Sequence, residues 1–247
     1  MPRFFVDPEF IENGYIKITG DDARHISRSL RMAVGEEITV CDMHGNDLHC
    51  VLDAFTDAFV GAKVISTNRV ESEPPFFAHL FQALPKGEKL DHIIQKSVEC
   101  GISEITTFNS ERCIAKEKDN ESSKLARRQR ISLEAAKQSG RGIVPRVNPT
   151  ISFKQMIENA KSYDLVLFCY EKASETTLKD VLKGFSFEKD TSTRIAIVIG
   201  SEGGFSEAEA NVAADNGMHL VGLGKRILRT ETASSFLLGC LVYELEL

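Results

Sequence analysis

At 247 residues, with 42% hydrophobic and 27% charged side chains, the chain is long enough to bury a large core and has the make-up of a soluble globular protein, which excludes disordered and fibrous classes. A net charge of −6 and a pI near 5.6 exclude indiscriminate binding to nucleic acid, so any site for a polyanion must be a local basic patch. The opening MPRFFVDPEF has no signal-peptide core, and no run approaches the roughly 18 apolar residues of a membrane span, so a cytoplasmic protein is expected. Cys41, Cys50, Cys100, Cys113, Cys169 and Cys240 form no C-x-x-C pair, which suits reduced thiols and no metal site.

From Arg3 to about Arg69 the runs RFFV, YIKIT, EITVC, LHCVLDAF and FVGAKVIST read as short strands, some separated by turns at Asn13-Gly14 and His44-Gly45-Asn46. One helix interrupts them, capped at Asp21 or Asp22 and turning Ala23, Ile26 and Leu30 inward. The spacing of Arg24, Arg28 and Arg31 sets them on a shared face. A small β-barrel-like module, residues 1–70, is expected. Glu71-Ser72-Glu73-Pro74-Pro75 reads as an extended, exposed linker.

Beyond it, residues 76–247, strands alternate with helices, the pattern of a mostly parallel sheet in an α/β domain. FFAHLFQAL is a buried strand. Lys86 to Cys100 is an amphipathic helix with Leu90, Ile93, Ile94 and Val98 inward and Gly101 at its C-terminal cap. EITTF is the next strand, and a helix from Ser122 to Ser139 carries most of a basic run, Lys124, Arg127, Arg128, Arg130, Lys137, Arg141 and Arg146, broken only by Glu134. Strands follow over Asp164–Cys169, Arg194–Gly200 and His219–Leu223, with a polar surface connection around Lys183 to Thr193. The last helix, from Thr230, places Ala233, Phe236, Leu237, Cys240 and Leu241 on one face, for the core or for a dimer contact.

Two loops carry unusual chemistry. After RIAIVI comes Gly200-Ser201-Glu202-Gly203-Gly204-Phe205-Ser206, where three glycines bare the backbone to a ligand and Ser206 with Glu209 forms a capping box. The glycine spacing is neither a dinucleotide fingerprint nor a phosphate loop, and Glu202 would repel phosphate while favouring a cationic sulfonium or pairing with an arginine. A tight turn with no ligand is the plain alternative. The second loop, Leu223 to Ala233, has Gly224 to open its backbone, Ile227 and Leu228 to wall an apolar pocket, Arg229 for a substrate phosphate and Glu231 for pairing at the helix start.

IGSEGGFSEAE, LGKRILRTETA, the upstream EAAKQSGR and the N-terminal RFFV with RSLRM together resemble the 16S ribosomal RNA uridine-N3 methyltransferase family of the SPOUT superfamily, in order and over nearly the whole chain. Ser201 stands where that family's loop commonly has proline, which removes no reactive group. The resemblance implies a PUA-like barrel followed by a SPOUT domain tied in a deep trefoil knot, S-adenosylmethionine as cofactor, 16S ribosomal RNA of the small subunit as substrate, and a homodimer through the last helix. It implies cofactor contacts at Phe168, Tyr170, Glu171, Gly200, Ser201, Glu202, Gly203, Gly204, Leu223, Gly224, Ile227 and Leu228. The catalytic residues are then Arg229, favouring the uridine anion, Glu231, orienting Arg229, and Glu202 as a possible base. Arg3, Arg24, Arg28, Arg31, Arg128, Lys137 and Arg141 are the expected RNA contacts. Alternatives are a SPOUT enzyme acting on another RNA, or a non-catalytic ribosome-assembly factor that binds RNA.

Overall fold

The computed structural model describes residues 1–114, 121–173, 177–187 and 193–247. The chain divides into two units, Met1–Glu73 with Ala136–Val144, and Pro74–Ala135 with Pro145–Leu247.

The first unit is a six-stranded sheet. Its strands are β1 (Arg3–Phe5), β2 (Ile11–Glu12), β3 (Tyr15–Ile18), β4 (Glu37–Cys41), β5 (Asn46–Phe55) and β6 (Val60–Arg69), in the order β1-β4-β5-β6-β3-β2. Only β1 and β4 run parallel. Alternation along β4 and β5 turns Ile38, Val40, Leu48, Cys50 and Leu52 into one core with Phe4, Ile16, Ile18 and Ile26. The Asn13-Gly14 turn has both residues at positive φ, 51° and 74°, as a two-residue hairpin of twisted strands requires.

The inserted helix departs from expectation. Helix α1 (Gly20–Arg24) starts after Thr19, with neither Asp21 nor Asp22 as its cap, and continues as a π-helical turn over His25–Ser29. The wider turn takes an extra residue, and Arg31 beyond it adopts φ 53°, so Arg31 leaves the row begun by Arg24 and Arg28. Ile26 is buried as expected, but Leu30 is exposed.

The expected linker is pinned rather than free. Glu73 accepts from the Arg141 guanidinium at 2.6 Å and from the Gly142 backbone N–H at 2.8 Å. Pro74 is buried, and its ring occupies the space a Cβ on Gly101 would need.

The second unit is built on a fully parallel sheet of β7 (Phe77–Ala83), β8 (Glu104–Asn109), β9 (Arg146–Ser152), β10 (Leu165–Cys169), β11 (Arg194–Ile199) and β12 (His219–Val221), in the order β12-β10-β11-β7-β8-β9. Its helices are α2 (Lys89–Glu99), α3 (Glu121–Ser139), α4 (Phe153–Ala160), α5 (Leu178–Gly184), α6 (Glu207–Asp215) and α7 (Thr230–Leu245). The last residues of α3 and the loop after them belong to the first unit. In α2 the predicted apolar row is buried, and Gly101 follows its end at φ 91°. In α7 the buried row is Ala233, Leu237, Leu238, Leu241 and Leu245, whereas Phe236 is 41% exposed. Sequence reading passed over β9, α4 and α5; the expected surface connection from Lys183 includes the end of α5, and its residues 188–192 lie outside the described ones. All six cysteines are free thiols, and among the described residues no helix is long and apolar enough to cross a membrane.

Strand order reverses between β7 and β11, so the crevice at the carboxyl ends of this sheet is the natural place for a ligand. At the opposite end His79 is buried beside Phe81, ring centroids 4.1 Å apart, with its nitrogens engaged by the Tyr163 hydroxyl and by Thr106 Oγ1 at 2.7 Å. Burial, then the nearby Arg194, pulls the imidazole down to about 3, so it is neutral in the fold. Between that value and the roughly 6.5 of an unfolded histidine the unfolded chain binds the extra proton, so stability falls as pH falls through this window. Urea unfolding at pH 5 is therefore expected to lose about 2 kcal/mol relative to neutral pH through this group alone. That increment should be absent in His79→Asn, measured at both pH values.

Candidate active site

The parallel strands β10, β11 and β12 end at one edge, and the loops that leave them face one another there. The loop after β11 folds into a tight turn in which the Gly204 N–H donates to the Ser201 carbonyl at 2.9 Å, with Gly204 at φ 62°. The left-handed φ favours glycine at this corner, and a Cβ would lie 2.7 Å from the Glu171 carboxylate, which would have to swing aside. The loops after β10 and β12 also close on each other. Tyr170 N–H donates to the Val221 carbonyl at 3.0 Å, Thr177 bridges to Gly222, and a Cβ on Gly222 would meet the Ala173 carbonyl at 2.8 Å.

Gln82, at the end of β7, ties this edge together from below. Its side-chain amide donates to Thr230 Oγ1 at 3.0 Å, and that hydroxyl donates to the Gly200 carbonyl at 2.7 Å. Both side chains are buried. Ser206 caps α6 with Glu209 in the expected capping box, and Glu209 also accepts from the Glu111 N–H at 2.8 Å.

The result is a cleft of about 440 Å³. Of the predicted cofactor contacts, Tyr170, Glu171, Gly200, Ser201, Glu202, Gly204, Leu223, Gly224, Ile227 and Leu228 line it. Phe168 does not, because strand alternation turns its ring into the core against Phe205, centroids 4.1 Å apart. Gly203 does not either: its carbonyl accepts from Arg112 at 3.0 Å on the outer side of the turn.

Lys89 of α2 and the exposed Lys225 and Arg226 also line it; Lys225 and Arg226 fall within the second loop marked from the sequence, whereas Lys89 was missed. Lys89 lies more than a hundred positions from the loops it meets and carries no local signal.

Lys89 Nζ donates to Glu202 Oε1 at 2.9 Å and stands 3.8 Å from Glu231 Oε2. Burial works to raise the Glu202 carboxyl, but Lys89 and the backbone N–H groups of Glu202 and Lys86 outweigh it and hold the group below the usual carboxylate range. A carboxylate so stabilised is a weak base, and Glu202 is better suited to fixing the loop than to taking a proton. Glu231 does not orient Arg229. Residues two apart at a helix start point to different sides, and the basic partner of Glu231 is Lys89. Arg229 lines the cleft, exposed, with no side-chain hydrogen bond or ion pair among the described residues.

The predicted RNA contacts separate into two groups. Arg24, Arg28 and Arg31 are exposed, Arg24 beside Asp21. The others are engaged within the fold: Arg3 with Asp47 at 2.7 Å, Lys137 with Asp22 at 3.0 Å and Arg141, almost wholly buried, with Glu73. Arg128 is buried in α3. Turning any of these four to a phosphate would break a fold contact or expose a packed side chain, which removes them from the set of ready phosphate ligands.

A parallel α/β domain whose ligand cleft is walled by bare loop backbone matches the RNA methyltransferase domain over residues 72–242. The chain is 33% identical to the ribosomal RNA small subunit methyltransferase E of Bacillus subtilis over 100% of its own length and 98% of the relative's. It superposes on the crystal structure of that enzyme from Neisseria gonorrhoeae bound to S-adenosyl methionine with a TM-score of 0.83 at 31% identity, covering 98% of this chain and 97% of that one. A Legionella pneumophila structure with bound SAM gives 0.82 at 28% identity, over 98% and 96%. The protein belongs to the ribosomal RNA small subunit methyltransferase E family.

The Gly204 corner yields a stability prediction. Gly204→Ala should lower the unfolding free energy by about 1–2 kcal/mol for the left-handed φ alone, and by more where Glu171 is displaced. In a Glu171→Ala background the excess should vanish and the φ cost remain. A double-mutant cycle by urea unfolding followed by circular dichroism reads both.

Proposed function

We propose that this protein is an S-adenosylmethionine-dependent methyltransferase that methylates N3 of a uridine in the 16S ribosomal RNA of the small subunit, in the cytoplasm. The observation that carries the reading is the cleft itself, three bare-backbone loops at the strand ends with an unpaired arginine at the mouth. The residues present fit the cofactor. Ile199, Val221, Leu223 and Leu228 offer apolar walls for a purine, the glycine loops offer backbone N–H and carbonyl groups, and Glu171 and Glu202 supply negative charge for a cationic sulfonium. Bound there, S-adenosylmethionine supplies an electrophilic methyl group.

The protein's task is then to seat the base in line with that methyl and to favour loss of the N3 proton. Arg229 stands at the rim where it can hydrogen-bond a uridine carbonyl oxygen, stabilising the negative charge that spreads from N3 as the proton leaves. Ile227, 90% exposed on the same loop, gives the base an apolar surface, and Lys225 and Arg226 beside it meet the flanking phosphates. Gln82, through Thr230, fixes the start of α7 and with it Arg229.

The same reading takes residues 1–70 as a PUA-like RNA-binding domain and 76–247 as a SPOUT domain with a deep trefoil knot. The close passage of Gly222 by Ala173 and Thr177, followed by the packing of α7 on α2, supports a chain threaded in that way. Exposed Phe236 and Tyr243 on α7 support a homodimer through that helix.

Incubation with methyl-labelled S-adenosylmethionine and small ribosomal subunits lacking the modification, followed by digestion of the RNA, should return label as 3-methyluridine from 16S RNA. Label in another nucleoside or another RNA would displace the substrate assignment, and failure to bind the cofactor would displace the reaction. Arg229→Ala should lower kcat by about 100-fold or more while cofactor affinity by calorimetry stays within a few-fold.

A further inference from the structure

In the first unit a second cleft, of about 860 Å³, opens between α1 with its π-helical continuation and the loop joining β5 to β6. Its helix side carries Ala23, Arg24 and Arg28, and its loop side Phe55, Asp57 and Phe59. The loop closes on itself without help from this cleft. Thr56 donates through both its backbone N–H and its hydroxyl to the Phe59 carbonyl, at 3.0 and 2.8 Å. Phe55 is 36% exposed at the cleft wall, so its ring is open to a ligand in the cleft.

The polar groups sort in the same way. The hydroxyls of Ser27 and Thr56 are spent on backbone carbonyls. Arg28 has no side-chain partner among the described residues, and the Arg24–Asp21 pair is so exposed that water and a competing phosphate readily replace it. Asp57 opposes an anion at its own end of the cleft and leaves an acceptor there for an amino group or a 2′-hydroxyl. An aromatic ring, two cations on one side and an acceptor on the other match a nucleotide with its base unpaired, and match a bare anion poorly.

We propose that this cleft binds one unpaired RNA nucleotide, its base against Phe55 and its phosphate on Arg28 and Arg24, a second RNA contact separate from the methyl-transfer site. The inference rests on the RNA-methyltransferase reading and extends it to how the substrate is held.

The test uses the full-length protein and a fluorescently labelled ten-nucleotide oligouridine, with binding read by anisotropy over a range of salt. Phe55→Ala should weaken binding roughly five- to a hundredfold without changing the salt slope, because a base stack is lost and no phosphate contact is. Phe55→Trp should bind as well as the parent or better. Arg28→Ala should weaken binding and reduce the salt slope by about 0.7, the share of one phosphate on a single strand. Circular dichroism confirms that each variant is folded, and calorimetry with S-adenosylmethionine should give unchanged affinity in all three. Parent-like oligouridine binding by Phe55→Ala overturns the proposal, as does a paired RNA duplex that binds the parent as tightly as the single strand. Methyl transfer by the parent protein in either event leaves the functional reading standing, whereas loss of transfer in the parent removes that reading instead.

Discussion

Gln82 is an amide in the middle of a hydrophobic sheet, and the geometry of the cleft follows from where its N–H group donates. A buried amide left without partners costs about 1–3 kcal/mol, so the Gln82 donor is satisfied by Thr230 Oγ1, and the Thr230 hydroxyl by the Gly200 carbonyl. These three groups come from the end of β7, the start of α7 and the end of β11. They fix, at one point, where the glycine loop begins and where the last helix starts. The loops after β10 and β12 then have little freedom, since Tyr170 is bonded to Val221 and Gly222 passes close under Ala173. The floor of the cleft is thus set by backbone and by one buried relay, which leaves the exposed Lys225, Arg226 and Arg229 above it to serve a ligand.

The chain is acidic, and it uses several of its basic residues on itself. Residues 136–144 belong to the first unit because Arg141 and the Gly142 N–H hold Glu73, Lys137 holds Asp22, Arg3 donates to the Arg141 carbonyl, and Cys41 bonds the Gly142 carbonyl. A nearly buried pair such as Arg141 with Glu73 is costly to break, because either partner alone is left as an uncompensated charge. Counting cations along the sequence therefore overstates what is available to RNA. Exposed arginines stand at the mouth of the cleft, on the helix of the first unit, and, from the basic run, at Arg127, Arg130 and Arg146, of which Arg127 is paired with Asp91.

What was legible in the sequence was local. Strand alternation, the apolar row of α2, the left-handed Gly101 after it, the capping box at Ser206 and the bare backbone around Gly200 each depend on residues a few positions apart. Strand β9 was not legible, since RVNPTIS has a proline inside it. Proline is tolerated there because β9 lies at the sheet edge, and the register slips between Thr106 and Phe108 opposite it. The π-helical turn after Arg24 was invisible for a similar reason: helical spacing assumes 3.6 residues per turn, and one wider turn rotates everything beyond it. Phe168 was misplaced by one step of strand parity, which alone separates a core ring from a cleft wall. Lys89 and Gln82 needed the fold itself, because their partners lie more than a hundred positions away.

Under the proposed reaction one cleft must receive a cation and a polyanion without letting either block the other, and the charges are graded by depth to allow it. Of the cleft carboxylates Glu171 is exposed, while Glu202 and Glu231 are the more enclosed, with 29% and 20% of their side-chain surface open, and Glu202 is held ionised by its neighbours. Lys225, Arg226 and Arg229 are exposed on the loop above them. Lys89 lies between the two carboxylates and keeps them from repelling each other. Screening by salt weakens exposed charges far more than enclosed ones, so the outer cations attract RNA at a distance without cancelling the inner negative field that a sulfonium would meet. With the carboxylates outermost, the same residues would repel the substrate before it reached the methyl group, and so the depth at which each charge sits is as much a part of the site as its identity.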